Sequence, residues 1–382
     1  MLARFRSALI AALAVACVVT GCAAVPPRAT APLISEPARP RAVQMNENPA
    51  RAFVLRRLSA MTVAEKAASV LMLHTGGTDV DALRGLVEGN GLGGLILMGD
   101  NVPVPDSRLA RITDALVTDP ELPPLIAIDQ EGGIVRRVHS DDGPAAGRLR
   151  SRPANETRSA FEDRAELLAG LGVNVNFGIV ADATGQHGSF IRSRTLGNTP
   201  VEAAPRVAAA VRGERGRVLS TLKHFPGHGV APGDSHSSIP GTGMGEKEWR
   251  ATHALPFEAG IDAGAELVMF GHLRFDAIDP APATMSTRWH EILRDDLGFE
   301  GVAVTDDLGM LEHSGEAEFA DPVENTVRAL EAGNDLLLHV GALDVDAAVE
   351  ALAEAVESGR IPEERLDQAA RRVLALRHSL AE

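Results

Sequence analysis

Eight short apolar runs, each followed by a helix-favouring stretch, recur from residue 68 to near the C-terminus, and this alternation restricts the fold more than any other feature of the chain. The runs occupy 68–73, 94–98, 125–129, 173–178, 218–224, 267–272, 302–306 and 335–339. They are short and mostly uninterrupted, as strands buried on both faces of a parallel sheet must be. Helical patterns at 108–117, 158–171, 205–215 and 323–332 fall between them, and a last helix is expected over 362–377, with Pro362 suited to a first-turn position. Eight β-α units predict an α/β fold, a single (β/α)8 TIM-type barrel. The competing arrangement is a doubly wound open sheet. Its dinucleotide-binding version lacks a Gly-x-Gly-x-x-Gly segment after an early strand.

The N-terminus addresses compartment. Arg4 and Arg6 precede an apolar run over 8–19, which ends in Val19-Thr20-Gly21-Cys22. That order predicts a signal peptide over 1–21, and the run is shorter than the ~20 residues that span a bilayer as a helix. The small residues ending at Cys22 resemble a bacterial lipoprotein cleavage box. The resemblance implies that Cys22 becomes the first mature residue and carries lipid, which places the protein outside the cytoplasm on the cell membrane. Residues 22–50, rich in Pro, Ala and Arg, read as a flexible linker, and 51–382 as the folded domain. Thr62 and Glu65 have capping-box spacing, so regular structure is expected from there.

The two cysteines are Cys17 and Cys22, so the domain itself offers no disulfide, thiol nucleophile or cysteine metal ligand. A net charge of −15 argues against nucleic acid and against a polybasic grip on lipid. Tyr is absent and the tryptophans are Trp249 and Trp289, a scarcity that favours a small pocket over a long aromatic groove.

Ionisable residues close the apolar runs: Asp129-Gln130-Glu131 the third, Asp182 the fourth, Lys223-His224 the fifth, His272 the sixth, Asp306-Asp307 the seventh and His339 the eighth. In a barrel these ends form one face, where active sites are built. The densest stretch is Lys223-His224-Phe225-Pro226-Gly227-His228-Gly229, followed by Gly233-Asp234-Ser235-His236. Its glycines permit unusual backbone angles and movement. An aspartate two residues before a histidine can orient the imidazole for general acid/base work.

Lys-His-Phe-Pro-Gly-His-Gly followed by Asp-Ser-His closely resembles the family 3 glycoside hydrolases of the β-N-acetylglucosaminidase branch. Asp129-Gln130-Glu131-Gly132-Gly133, Arg194-Thr195-Leu196-Gly197, Pro282-Ala283-Thr284-Met285-Ser286 and Thr305-Asp306-Asp307-Leu308-Gly309-Met310 agree in order and spacing, and the likeness spans about residues 60–377. The resemblance implies a retaining, exo-acting enzyme with no cofactor or metal, acting on N-acetylglucosamine-containing saccharides such as cell-wall fragments. It implies Asp306 as nucleophile, His236 as acid/base and Asp234 as its partner. Asp129, Arg137, Arg194, Lys223 and His224 are implied to hold the sugar. An oxocarbenium-like transition state needs a carboxylate on one side and a proton donor on the other.

Three other chemistries compete. A zinc site could use His224, His228, His236 and Asp234, although Pro226, Gly227 and Gly229 oppose the helix that an i, i+4 pair prefers. Phosphate could replace water as acceptor. A sugar-binding lipoprotein could lack catalysis altogether. The chain departs from the family pattern at Ile134, where Arg is common, at Gly178-Ile179, where Ala-Pro is common, and over 183–193. These positions bear on pocket shape and substrate preference.

Overall fold

The computed structural model describes residues 48–381. The expected signal peptide, Cys22 and nearly all of the linker lie outside the described residues. Eight strands form one all-parallel sheet: β1 (Leu71–Leu73), β2 (Gly94–Leu97), β3 (Leu125–Ile128), β4 (Val175–Val180), β5 (Leu219–Phe225), β6 (Leu267–Phe270), β7 (Val302–Thr305) and β8 (Leu337–His339). Their order is β8-β1-β2-β3-β4-β5-β6-β7, each consecutive pair parallel, as in Leu71 opposite Leu337 and Leu267 opposite Val302, with register shifts in the β4–β5 and β5–β6 pairs. A parallel bridge between Val304 and Leu336 joins β7 back to β8. There the Leu338 N–H donates to Thr305 Oγ1 at 2.8 Å, so a side chain completes a seam that backbone pairing leaves short. The result is the expected (β/α)8 barrel.

Every residue of these eight strands is buried, which explains why the runs are apolar without alternation. One core cluster joins strand residues Leu71, Met72, Val302 and Leu337 to Leu366, Ala370 and Val373 of the last helix, Glu363–His378. A second is aromatic. Phe225 meets Trp249, Phe257, Phe270 and Trp289 edge-on, with centroids 5.0–5.7 Å apart. Both tryptophans are spent on this core. Trp249 Nε1 also donates to the Pro226 carbonyl at 2.8 Å, pinning the chain where it leaves β5.

Two sequence expectations are corrected. Regular structure begins before Thr62, with a helix at Pro49–Ala60 capped by Asn48. Only Pro49 and Ala50 fall in the expected linker; within the helix Val54 and Leu58, one turn apart, are buried and Phe53 stacks on His378 at 4.1 Å. The Thr62–Glu65 capping box is present and opens the next helix, Val63–Ser69. That helix consumes Ala68 and Ser69, so β1 is shorter than the apolar run.

Candidate active site

The C-terminal strand ends surround a cavity of about 450 Å³ lined by Asp129, Arg137, Arg194, Lys223, His224, Asp234, His236 and Asp306. Every residue expected to bind sugar or do chemistry is therefore in one hollow. A larger cleft of about 980 Å³ between helices, lined by Met61, Val349, Glu354 and Leu374, contains no residue from a strand's C-terminal end.

On one side a buried charge network forms. Lys223 Nζ lies 2.6 Å from Asp129 Oδ1 and 2.8 Å from Glu131 Oε1. Arg194 grips Glu131 bidentately, at 2.9 Å through Nε and 2.7 Å through Nη2. Arg137 Nη2 stands 3.8 Å from Asp129 Oδ2. Burial raises the pKa of both carboxylates. For Asp129 the Lys223 and Arg137 charges, and for Glu131 those of Lys223 and Arg194, more than offset this, and both groups stay below their usual range. Each is charged at neutral pH and each is paired, leaving a fixed array of polar groups on this side of the cavity.

Lys223 and His224 are consecutive yet both line the cavity, whereas an undisturbed strand would send them to opposite faces. The pairing of β5 with β6 shifts register between Leu222 and Phe225, which re-aims the second side chain. Asp182, fully buried at the end of β4, accepts from His224 Nδ1 at 2.7 Å and from the backbone N–H groups of His224 and His228 at 3.2 and 2.5 Å. His224 Nε2 then faces Arg194 Nη2 at 3.3 Å and must accept, so the network assigns the Nδ1–H tautomer. Burial, and then the Arg194 charge, pushes His224 down to about 3, which keeps it neutral. Burial pushes Asp182 up to about 6.

Asp306 follows β7. Its Oδ1 accepts from the Asp307 N–H at 2.9 Å, and its Oδ2 lies 4.0 Å from His224 Nε2. Burial raises its pKa, but neighbouring groups win and hold it below the usual carboxylate range. Because His224 is neutral, it cannot act as a cation on Asp306 near pH 7. The other groups that lower it are His272, the Asp307 N–H and the Lys223 ammonium. Asp307 is itself fixed: its Oδ1 accepts from Val340 N and Gly309 N, and His272 Nε2 donates to its carbonyl at 2.9 Å. An ionised carboxylate is thus presented from a rigid strand end to a sugar-sized space.

The loop after β5 supplies the other side. Gly227, Gly229 and Gly233 adopt φ of 126°, 93° and 113°, values L-residues rarely take. His236 is 63% exposed and its Nδ1 lies 2.5 Å from Asp234 Oδ1, which leaves Nε2 as its outward nitrogen. The loop is tied down past His236, where Gly241–Thr242 pairs with Arg274–Phe275 after β6.

Several residues acquire their place in the site only from the fold. Glu131 and Asp182 were visible as strand-end carboxylates, but only the fold shows that they hold Arg194 and His224. His228 is buried, pushed down to about 3 by that burial, and meets Ser235 Oγ at 3.0 Å. Gln130 clamps the loop after β3: its Oε1 accepts from Arg137 N and Val138 N at 2.8 and 3.0 Å, and its Nε2 donates to Asp141 at 2.9 Å. Phe190, from the atypical 183–193 segment, lines the cavity and lies edge-on to His228 and His236. His339 bonds Thr326 and His272 bonds Thr284, and neither lines the cavity. Among the described residues, no group of three or more His, Cys, Asp or Glu side chains is arranged to hold a metal ion.

Residues 62–376 match the glycosyl hydrolase family 3 N terminal domain. A beta-hexosaminidase of Stenotrophomonas maltophilia is 34% identical over 297 residues, covering 74% of this chain and 87% of that protein. One from Pseudomonas aeruginosa is 34% identical over 277 residues, covering 70% and 80%. Among solved structures, a family 3 β-N-acetylglucosaminidase from Paenibacillus sp. superposes with a TM-score of 0.78 at 34% identity, covering 84% of this chain. This chain spans 64% of that enzyme's length. Mycobacterium tuberculosis LpqI superposes with a TM-score of 0.77 at 26% identity, covering 85% and 96%. The chain belongs to glycosyl hydrolase family 3, a family of sugar-cleaving enzymes. Within it, this glycoside hydrolase falls in the β-hexosaminidase branch.

Proposed function

We propose that this chain is an exo-acting, retaining β-N-acetylglucosaminidase that works through a glycosyl-enzyme intermediate on Asp306. The observation that carries the reading is the pairing of an ionised Asp306 with the His236–Asp234 dyad around one sugar-sized cavity. In the first step the Asp306 carboxylate attacks the anomeric carbon. The bond from that carbon to the leaving oxygen breaks, its electron pair goes to the oxygen, and the oxygen takes a proton from Nε2 of the His236 imidazolium. In the second step neutral His236 removes a proton from water, whose oxygen attacks the anomeric carbon and expels the Asp306 carboxylate. Asp234 stabilises the imidazolium in one step and orients the ring in the other. Asp129, Lys223, Arg194, Arg137 and His224 bind the sugar. The names of the relatives support N-acetylglucosamine as that sugar.

Turnover of chromogenic N-acetylglucosaminides in preference to glucosides tests the substrate. Release of free sugar, not sugar 1-phosphate, in phosphate buffer tests water as the acceptor. No turnover of either glycoside would overturn the reading.

The sequence pattern ending at Cys22 supports a lipid-anchored protein outside the cytoplasm that acts on cell-wall fragments. The expected outcome is that Cys22→Ala moves the protein from the membrane fraction to the soluble fraction. Equal membrane retention of the variant would contradict the anchor.

A further inference from the structure

We infer that Ile134, together with Phe190, forms the leaving-group side of the site and selects glycosides whose leaving group presents an uncharged, apolar face. This rests on the hydrolase reading above. The large hydrophobic side chains most exposed among the described residues are Leu55, Val104, Val117, Ile134 and Val201, and of these Ile134 alone lines the cavity, at 76% exposure. An exposed isoleucine on a free surface needs no explanation, but one held rigidly at the mouth of a polar site does.

The turn that carries it is built to keep it there. Gly132 and Gly133 both take positive φ, 83° and 70°. A Cβ on Gly132 would come within 2.4 Å of Arg164 Nη2, and one on Gly133 within 2.6 Å of Ala145 Cβ, so the turn is packed tight from beneath. The Glu131 N–H donates to the Val135 carbonyl at 3.0 Å and closes it. Gln130 holds the strand of chain just beyond, at Arg137 and Val138. The backbone that carries Ile134 is therefore anchored on both sides.

Phe190 tells which end of the substrate this side meets. Its ring lies edge-on to His236 with centroids 6.2 Å apart. His236 protonates the leaving oxygen in the proposed reaction, so a group beside it touches the substituent on that oxygen. The sugar hydroxyls are taken by the charged network around Lys223. Asp234 is half exposed at the same mouth, and burial is outweighed by its bond to His236, which holds its pKa low. Its negative charge disfavours an anionic leaving group.

The test uses two aryl N-acetylglucosaminides of equal leaving-group acidity, one with a plain apolar ring and one bearing a sulfonate away from the reacting oxygen. The wild-type enzyme should favour the apolar substrate about tenfold in kcat/KM, and Ile134→Ala should narrow that ratio about 3- to 5-fold through the apolar contact it removes. Ile134→Arg should reverse the preference toward the sulfonate. An unchanged ratio in both variants would overturn the inference. The matching S-aryl thioglycosides, which are not cleaved, give the same ratio from Kd. If nothing is turned over but the thioglycoside ratio shifts as stated, the leaving-group side stands and the hydrolase reading fails. If wild-type protein binds neither thioglycoside, both fail.

Discussion

Lys223 Nζ sits 2.6 Å from Asp129 Oδ1, and this contact ties the end of β5 to the end of β3 at the floor of the site. The same ammonium reaches Glu131 at 2.8 Å, and both Lys223 and Glu131 are almost wholly buried. Lys223→Met therefore takes the shared cation from two carboxylates, leaving Glu131 to Arg194 and Asp129 to Arg137 at 3.8 Å. The expected cost is about 3–5 kcal/mol of stability, together with loss of sugar binding. Denaturant titration reads the first effect and KM the second. Asp129→Asn in the same chain should recover part of the stability and none of the activity. A variant as stable as wild type would show that the network is not electrostatically coupled.

The assignment of His236 as proton donor predicts a dependence on leaving group. His236→Ala should lose little glycosylation rate with an acidic aryl leaving group and about 10²- to 10⁴-fold with an alkyl one, because only the latter needs the proton. A Brønsted series on both proteins measures this. Equal loss across the series would remove His236 from that role. Asp234→Asn should fall between, since the ring stays but its orientation and charge support weaken.

Stability should depend on pH through Glu214. It is fully buried on the helix Pro200–Glu214, its Oε1 accepts from Asn176 Nδ2 at 2.6 Å, and burial pushes it up to about 8. A carboxyl whose folded pKa lies above its unfolded value of 4.5 contributes stability at low pH that is lost as pH rises toward 8. Glu214→Gln keeps the acceptor and removes the titration. Its stability relative to wild type should therefore climb by about 1 kcal/mol per pH unit across that window. Four buried histidines act oppositely. His224 and His228, pushed to about 3, and His290 and His339, pushed to about 4, give stability above 6.5 that is lost on acidification. A pH-independent difference between Glu214→Gln and wild type would mean that Glu214 is not held protonated.

Gln130 should act on binding at a distance. Gln130→Ala frees the backbone of Arg137 and Val138 and leaves Asp141 with Arg164 as its remaining side-chain partner. We expect about 1–3 kcal/mol of destabilisation and a higher KM with kcat less affected. A kcat loss at constant KM would place Gln130 in the chemistry.

The barrel was legible because parallel strands buried on both faces must be written as unbroken apolar runs, and eight such runs leave few ways to close a sheet. The candidate site was legible where ionisable residues close apolar runs, as at Asp306 and Lys223, which line one cavity. The helix at Pro49–Ala60 was not, because its packing rests on Val54, Leu58 and the stacking of Phe53 on a histidine more than three hundred residues away. Nor was the job of Asp182, whose meaning depends on a neighbour 42 residues on. Gln130 could be quoted as part of a motif, but its amide clamp exists only once the loop after β3 curls back over it.

Whether catalysis passes through a covalent bond to Asp306 is read by mass spectrometry of His236→Ala quenched during turnover of an N-acetylglucosaminide with an acidic aryl leaving group. Glycosylation then proceeds without a donor, while deglycosylation lacks its base, so the intermediate should accumulate. One added N-acetylglucosaminyl group is expected on the peptide containing Asp306, lost in Asp306→Ala. An adduct on another carboxylate, or turnover that inverts the anomeric centre with no adduct, would contradict it.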